Sequence, residues 1–140
     1  MTYFVIGVII KKNNMGDNKM AASLTKIGIY KNEYNIKLSV SLPCLDIMQS
    51  SGLAVHVQKN HPNQIQYLNN IQDILNYPDY IGMNPNQPNS IELIKCYSDN
   101  ILIAIKLDIA NNYYYIASLY DVTQAKINNN LNSGRLKNYT

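Results

Sequence analysis

His56 and His61, in the stretch His56-Val-Gln-Lys-Asn-His61-Pro62, are the only histidines of the chain. Histidine is the side chain whose unperturbed pKa, about 6.5, lets it take and give protons near neutral pH. Two held together suit a reaction that needs one general base and one general acid, such as hydrolysis or internal transesterification of RNA. Five residues apart on one continuous helix, they would point roughly 140° away from each other. A shared site therefore requires His61 to lie beyond a helix end, turned back by Pro62. A histidine near a helix end can equally be structural or simply solvated, and spacing alone does not separate these roles.

A zinc site built from Cys44, His56, His61 and Cys96 fits the sequence poorly. Structural zinc motifs pair cysteines two to four residues apart, and Leu42, Pro43 and Leu45 surround Cys44 instead. No Asp or Glu falls at helical ligand spacing from either histidine. Phosphate-cradling glycine loops, nucleophile elbows and paired acidic motifs are absent too. No metal and no other cofactor is expected, and the two cysteines read as free, buried thiols.

These histidines must be positioned by a small fold. The chain has 140 residues, 46% of them hydrophobic, enough for one core without disulfides or metals. Charged residues are only 15% and the net charge is +3. That is mildly compatible with an anionic partner and well short of a protein that coats nucleic acid. Residues 1–22 read as an N-terminal extension, a strand from Tyr3 to Ile10 followed by a flexible loop from Lys11 to Lys19. Residues 23–140 read as a single domain. The apolar run is too short to span a membrane and lacks the features of a signal peptide, so a cytoplasmic protein with no membrane partner is expected.

Lys26–Tyr30 and Asn35–Leu42 alternate polar and apolar residues as half-buried strands do, with Lys31–Tyr34 as the turn. From Asp46, a candidate N-cap, the pattern turns helical until Pro62 stops it, with Gly52 as a weak point. A second helix runs from Asn63 to Asn76, and a proline-punctuated loop covers 82–90. A three-stranded meander follows: Ile91–Ser98, Ile101–Ala110 and Tyr113–Val122. Thr123 then caps a helix ended by Gly134. The expected fold class is α+β, with helices packed on one side of an antiparallel sheet.

Within the meander, Ile101, Ile103 and Ile105 share a face that must be buried. A two-residue turn at Asp99-Asn100 would place Lys95 opposite Ala104, on the open face with Lys106, flanked by Tyr113 and Tyr115. A basic, aromatic-lined face suits a phosphate backbone and stacked bases, although such a face is also ordinary solvated surface.

Six segments in this order resemble the phage-associated Barnase–EndoU–colicin–RelE-like nuclease domains: His56 to Pro62; Tyr77-Pro78-Asp79-Tyr80-Ile81-Gly82; Ser90 to Lys95; Asn100 to Asp108; Tyr115 to Tyr120; and Ser133-Gly-Arg-Leu-Lys137. The resemblance covers about residues 26 to 137 and implies the same α+β fold. It implies a metal-independent endoribonuclease of prophage or toxin type, acting on RNA, tRNA among the candidates, with an immunity or antitoxin protein as a further partner. Delivery into a target cell as a toxin domain goes with that reading. By the same resemblance His56 and His61 are base and acid, and Lys95 stabilises charge on the phosphorane. Ser118 and Tyr120 match a late-strand Ser/Thr-x-Tyr pattern and would orient the scissile phosphate and stack a base, and Arg135 is a phosphate clamp; Lys106, placed by the meander register and not by the resemblance, would bind substrate from the sheet. Two departures stand against it: Asn60 occupies a position where a basic residue is expected, and the meander register puts Ser118 and Tyr120 on the face opposite Lys95. The alternative is a non-catalytic RNA- or protein-binding accessory protein on the same fold.

Overall fold

The alternation of Ile101, Ile103 and Ile105 is realised in a central strand whose three isoleucines are completely buried. The computed structural model describes residues 23–140, and the strand and loop expected over 1–22 lie outside the described residues. The strands are β1 (Leu24–Ile29), β2 (Asp46–Ser50), β3 (Tyr80–Gly82), β4 (Ser90–Cys96), β5 (Asn100–Asp108), β6 (Tyr113–Asp121) and β7 (Leu136–Asn138). The helices are α1 (Asn32–Leu38), α2 (Gly52–Asn60), α3 (Ile71–Asn76) and α4 (Gln124–Ser133), with a 3-10 segment over Pro62–Asn70 before α3. All seven strands form one sheet in the order β1-β2-β6-β5-β4-β3-β7. Among the described residues only the β2–β6 pair is parallel, which confirms the α+β class.

One face of this sheet carries the main core. Ile91, Leu93, Ile101, Ile103, Ile105 and Leu119 pack there with Leu53 and Val57 of α2 and with Ile71, Ile74 and Leu75 of α3. The reverse face carries a smaller cluster, in which Ile127 of α4 packs on Ile94, Leu102, Val122 and Leu136. Among the described residues no helix is long and apolar enough to cross a membrane. Cys44 and Cys96 are free, as expected, but both are exposed.

Two elements expected from the sequence are exchanged in the structure. Residues 35–42, expected as a strand, begin inside α1. The buried Asn35 side chain supplies the backbone partners a strand would have found: its amide donates to the Leu42 carbonyl at 2.7 Å, and its oxygen accepts from the Leu42 N–H at 3.2 Å. Residues 46–50, expected to open a helix, form β2. This strand lies between β1 and β6, with Ile47 in the main core and Met48 also buried. A strand covered on both sides shows consecutive apolar residues and loses its period of two. Asp46 caps nothing and pairs with Lys26 at 3.3 Å.

The strand β3 went unread because its three residues lie among prolines and pair only with distant partners, β4 and β7. Gly82 permits that pairing, since a Cβ there would stand 2.8 Å from the Arg135 carbonyl oxygen.

Tyrosines form much of the core. Tyr30 stacks on Tyr114 at 4.5 Å and meets Tyr34 edge-on at 5.1 Å. Their hydroxyls donate to Asn35 Oδ1, the Leu75 carbonyl and the Pro43 carbonyl. Burial holds all three phenols well above their ordinary pKa. A native pKa raised above the unfolded value gives stability that is intact below the unfolded value, about 10, and is lost as pH rises beyond it. A pH titration read by circular dichroism and tyrosinate absorbance is expected to show cooperative alkaline unfolding starting above pH about 10. Ionisation of these tyrosines near their ordinary value with the fold intact would contradict the packing.

Candidate active site

β2 runs beside β6 only at Ile47–Tyr114 and Met48–Tyr115, and the chain then turns into α2. Helix α2 and the 3-10 segment contact β6, with Leu53 and Val57 anchoring α2 in the main core. Pro62 ends the helix at Asn60, because the residue before a proline is pushed out of helical geometry. His61 is the C-cap, at φ −141° and ψ 54°, with its backbone N–H donating to the Val57 carbonyl at 2.7 Å.

The turn required by the sequence spacing is therefore present. It brings the two imidazoles to a centroid distance of 5.9 Å, planes at 66°. Asn60, which stands where a basic residue was expected, places its amide Nδ2 3.1 Å from His56 Nδ1. His61 in turn stacks on Tyr120 of β6 at 5.6 Å and 30°.

The residues around this pair are set by the phase of β6. Lys106 pairs with Tyr115 and Ile105 with Ile116, but Ala104 pairs with Ser118, so β6 carries one extra residue at Ala117. That bulge turns Ser118 and Tyr120 to the reverse face, on the same side as Lys106, Tyr115 and Tyr113. Leu119, Ile116 and Tyr114 remain in the main core. Unbulged pairing would have put Ser118 among the buried isoleucines, but the opposition of Ser118 and Tyr120 to Lys95 expected from the sequence persists, because Lys95 changes face as well.

Lys95 moves the other way. Cys96 pairs with Asn100, leaving a three-residue connection, Tyr97–Asp99, where two residues were expected. Lys95 then lies opposite Ile101, on the main-core side of the sheet, and its ammonium donates to the Tyr77 carbonyl at 2.8 Å. The expected company of Lys95 with Lys106 is thus corrected: the two lie on opposite faces. The odd-length turn is the cause.

Glu92 also lies on the reverse face, beside the candidate site, although no motif singles it out. It pairs with Ala104, which pairs with Ser118, so a small residue separates a carboxylate from a hydroxyl across the reverse face. Its signal was the alternation Ser90-Ile91-Glu92-Leu93, which sends Ser90 and Glu92 to one side. Arg135 Nη2 donates to both Glu92 carboxylate oxygens at 3.1 Å. This guanidinium nitrogen is engaged by Glu92, so the phosphate clamp expected of Arg135 is already partnered by protein.

Burial first, then the Glu92 carboxylate, raise the Tyr120 hydroxyl above its ordinary pKa, with Arg135 opposing. The cleft between α4 and this row, lined by Glu92, Tyr120, Lys126 and Arg135 among others, encloses about 20 Å³, room for little more than one water. Among the described residues no group of three or more His, Cys, Asp or Glu is placed to hold a metal ion.

The Glu92 side chain is only 12% exposed, so Arg135→Leu strands a carboxylate beside Tyr120. Its expected cost is about 1–3 kcal/mol, read as a lower melting temperature and partly recovered in the Glu92→Gln, Arg135→Leu double variant. No change in melting temperature would mean that the pair contributes nothing.

Comparison with known protein families gives one decisive result: the family described as phage-Barnase-EndoU-ColicinE5/D-RelE like nuclease3 matches residues 25–129. The chain belongs to this nuclease family. Comparisons with curated proteins and with solved structures return no match. The match spans the histidine pair, Glu92, Lys106, Ser118 and Tyr120, and stops before Arg135. The whole imidazole–tyrosine cluster of this nuclease-family domain thus falls inside the matched region.

Proposed function

We propose that the protein is a metal-independent endoribonuclease that cleaves RNA by attack of a 2′-hydroxyl on the neighbouring phosphate, leaving a 2′,3′-cyclic phosphate. The observation that carries this reading is the approach of the His56 and His61 rings to 5.9 Å, beside Tyr120, in a chain of a nuclease family. One imidazole, unprotonated, takes the proton of the 2′-hydroxyl as its oxygen bonds to phosphorus. The other, protonated, delivers a proton to the departing 5′ oxygen, and the atoms balance without water or metal. A bell-shaped dependence of rate on pH follows from needing one group in each state.

Ser118, half-buried and aimed at the reverse face, orients the scissile phosphate by hydrogen bonding. Tyr120 holds the His61 ring by stacking and offers a hydroxyl that stays protonated through neutral pH. Arg135, fixed by Glu92, acts as a positioning residue. Lys106, exposed on the same face, faces the substrate backbone. Lys95, on the opposite face, has no part in the mechanism. A prophage or toxin role, tRNA as a target and an immunity protein as partner belong to the same proposal and rest on the family resemblance.

The test is incubation of the purified protein with total RNA, and in parallel with single-stranded DNA, in EDTA. Cleavage of RNA and not of DNA is expected, since DNA lacks the attacking hydroxyl. Cutting of DNA, or an absolute need for a divalent cation, would sink the mechanism.

A further inference from the structure

The Ala117 bulge does more than expose Ser118 and Tyr120. Residues of opposite parity, Tyr113 and Tyr115 on one side of it and Ser118 and Tyr120 on the other, come to share one face of one strand. In a regular strand they would alternate between faces. Their cross-strand partners on β5 are Asp108, Lys106, Ala104 and Leu102, one step of two residues each. At about 3.4 Å per residue, Tyr115 lies roughly 14 Å and Tyr113 roughly 20 Å along the sheet from Tyr120.

Helix α4 covers the Tyr120 end, where its Ile127 packs on Leu102. Lys106, beyond that cover, is exposed, and the two tyrosines beside it are half-buried. The result is a row of phenol rings with an exposed ammonium beside the middle one, continuous with the histidine pair. Stacking on aromatic rings is open only to bases free of a duplex, whereas duplex RNA is read by its shape and backbone.

We propose that Tyr115, Tyr113 and Lys106 form a binding track for the unpaired nucleotides flanking the scissile one, so that the substrate is single-stranded RNA. The inference rests on the ribonuclease reading of the adjoining site. Tyr115 stacks one base, Lys106 meets the phosphate beside it, and Tyr113 takes the next base. The track binds by backbone and ring, and it sets how many nucleotides the enzyme needs.

Binding of fluorescent 2′-O-methyl-blocked RNAs, a dinucleotide, a single-stranded octanucleotide and a duplex, separates the possibilities, with cleavage of unblocked RNA measured alongside. The wild type is expected to prefer the octanucleotide over both others by at least about tenfold. Tyr115→Ala is expected to weaken octanucleotide binding about tenfold and leave the dinucleotide unchanged, with Tyr115→Phe close to wild type. Lys106→Gln, which leaves the packing intact, is expected to reduce the slope of log affinity against log salt by about one. Cleavage with octanucleotide affinity unaltered in Tyr115→Ala and Lys106→Gln overturns the track alone. Equal binding of duplex overturns the single-strand assignment. Neither cleavage nor octanucleotide binding by folded wild type overturns the track and the ribonuclease reading together.

Discussion

His61→Ala is expected to lower the rate of RNA cleavage by about 10²- to 10⁴-fold, the usual contribution of a general acid or base. The melting temperature should stay within a few degrees of wild type. The two effects separate because the capping hydrogen bond of His61 comes from its backbone N–H, which alanine keeps. The side chain gives up chiefly its contact with Tyr120, worth about 1 kcal/mol. His56 is exposed, and His56→Ala should show the same division between rate and stability. Each variant should also lose one limb of the bell-shaped pH profile, and the two should lose different limbs. A rate within a few-fold of wild type for either would remove that histidine from the mechanism.

Deletion of Ala117 is expected to have the largest effect on stability. Without the extra residue, one half of β6 must turn over. Either Tyr114 and Ile116 leave the main core, or Leu119 leaves it and Ser118 enters. Each large apolar side chain moved into water costs about 1.5–3 kcal/mol, and a small domain has only about 5–15 kcal/mol in total. Tyr114 also carries the ring stack with Tyr30 and the hydrogen bond to the Pro43 carbonyl. The deletion variant should lack a cooperative thermal transition by circular dichroism, whereas Ala117→Ser, which keeps the residue count, should melt close to wild type. A folded deletion variant with an unchanged melting temperature would show that the bulge does not set the phase of the strand.

The parts of the fold legible in the sequence are those decided by local chemistry. The β5 isoleucines announced a buried face. Thr123 does cap α4, its hydroxyl accepting from the Lys126 N–H at 3.1 Å, and Gly134 does take the left-handed position at φ 83°. Pro62 ended α2 and turned His61 back as its ring geometry required. The parts decided by distant partners were not legible. Ile36, one of the alternating apolar residues that suggested a strand, is 69% exposed on α1, because Asn35 and Tyr34 hold the segment instead. The Tyr97–Asp99 turn and the Ala117 bulge each change the strand count by one residue. A change of one exchanges faces, so Lys95 lies on the face opposite Lys106, and Ser118 and Tyr120 share the face of Lys106. Glu92 was visible as an alternating polar residue, but its link to Arg135 joins residues 43 apart in sequence.

End-group analysis of the products tests the central claim most directly. A defined RNA would be cut in EDTA, its fragments resolved by mass, and the same RNA prepared with a 2′-deoxyribose at the cleaved position. A 2′,3′-cyclic phosphate on the upstream fragment, and no cutting at the deoxy position, is the predicted result. A 3′-hydroxyl with a 5′-phosphate, or unchanged cutting at the deoxy position, would contradict 2′-hydroxyl attack and with it the role assigned to His56 and His61.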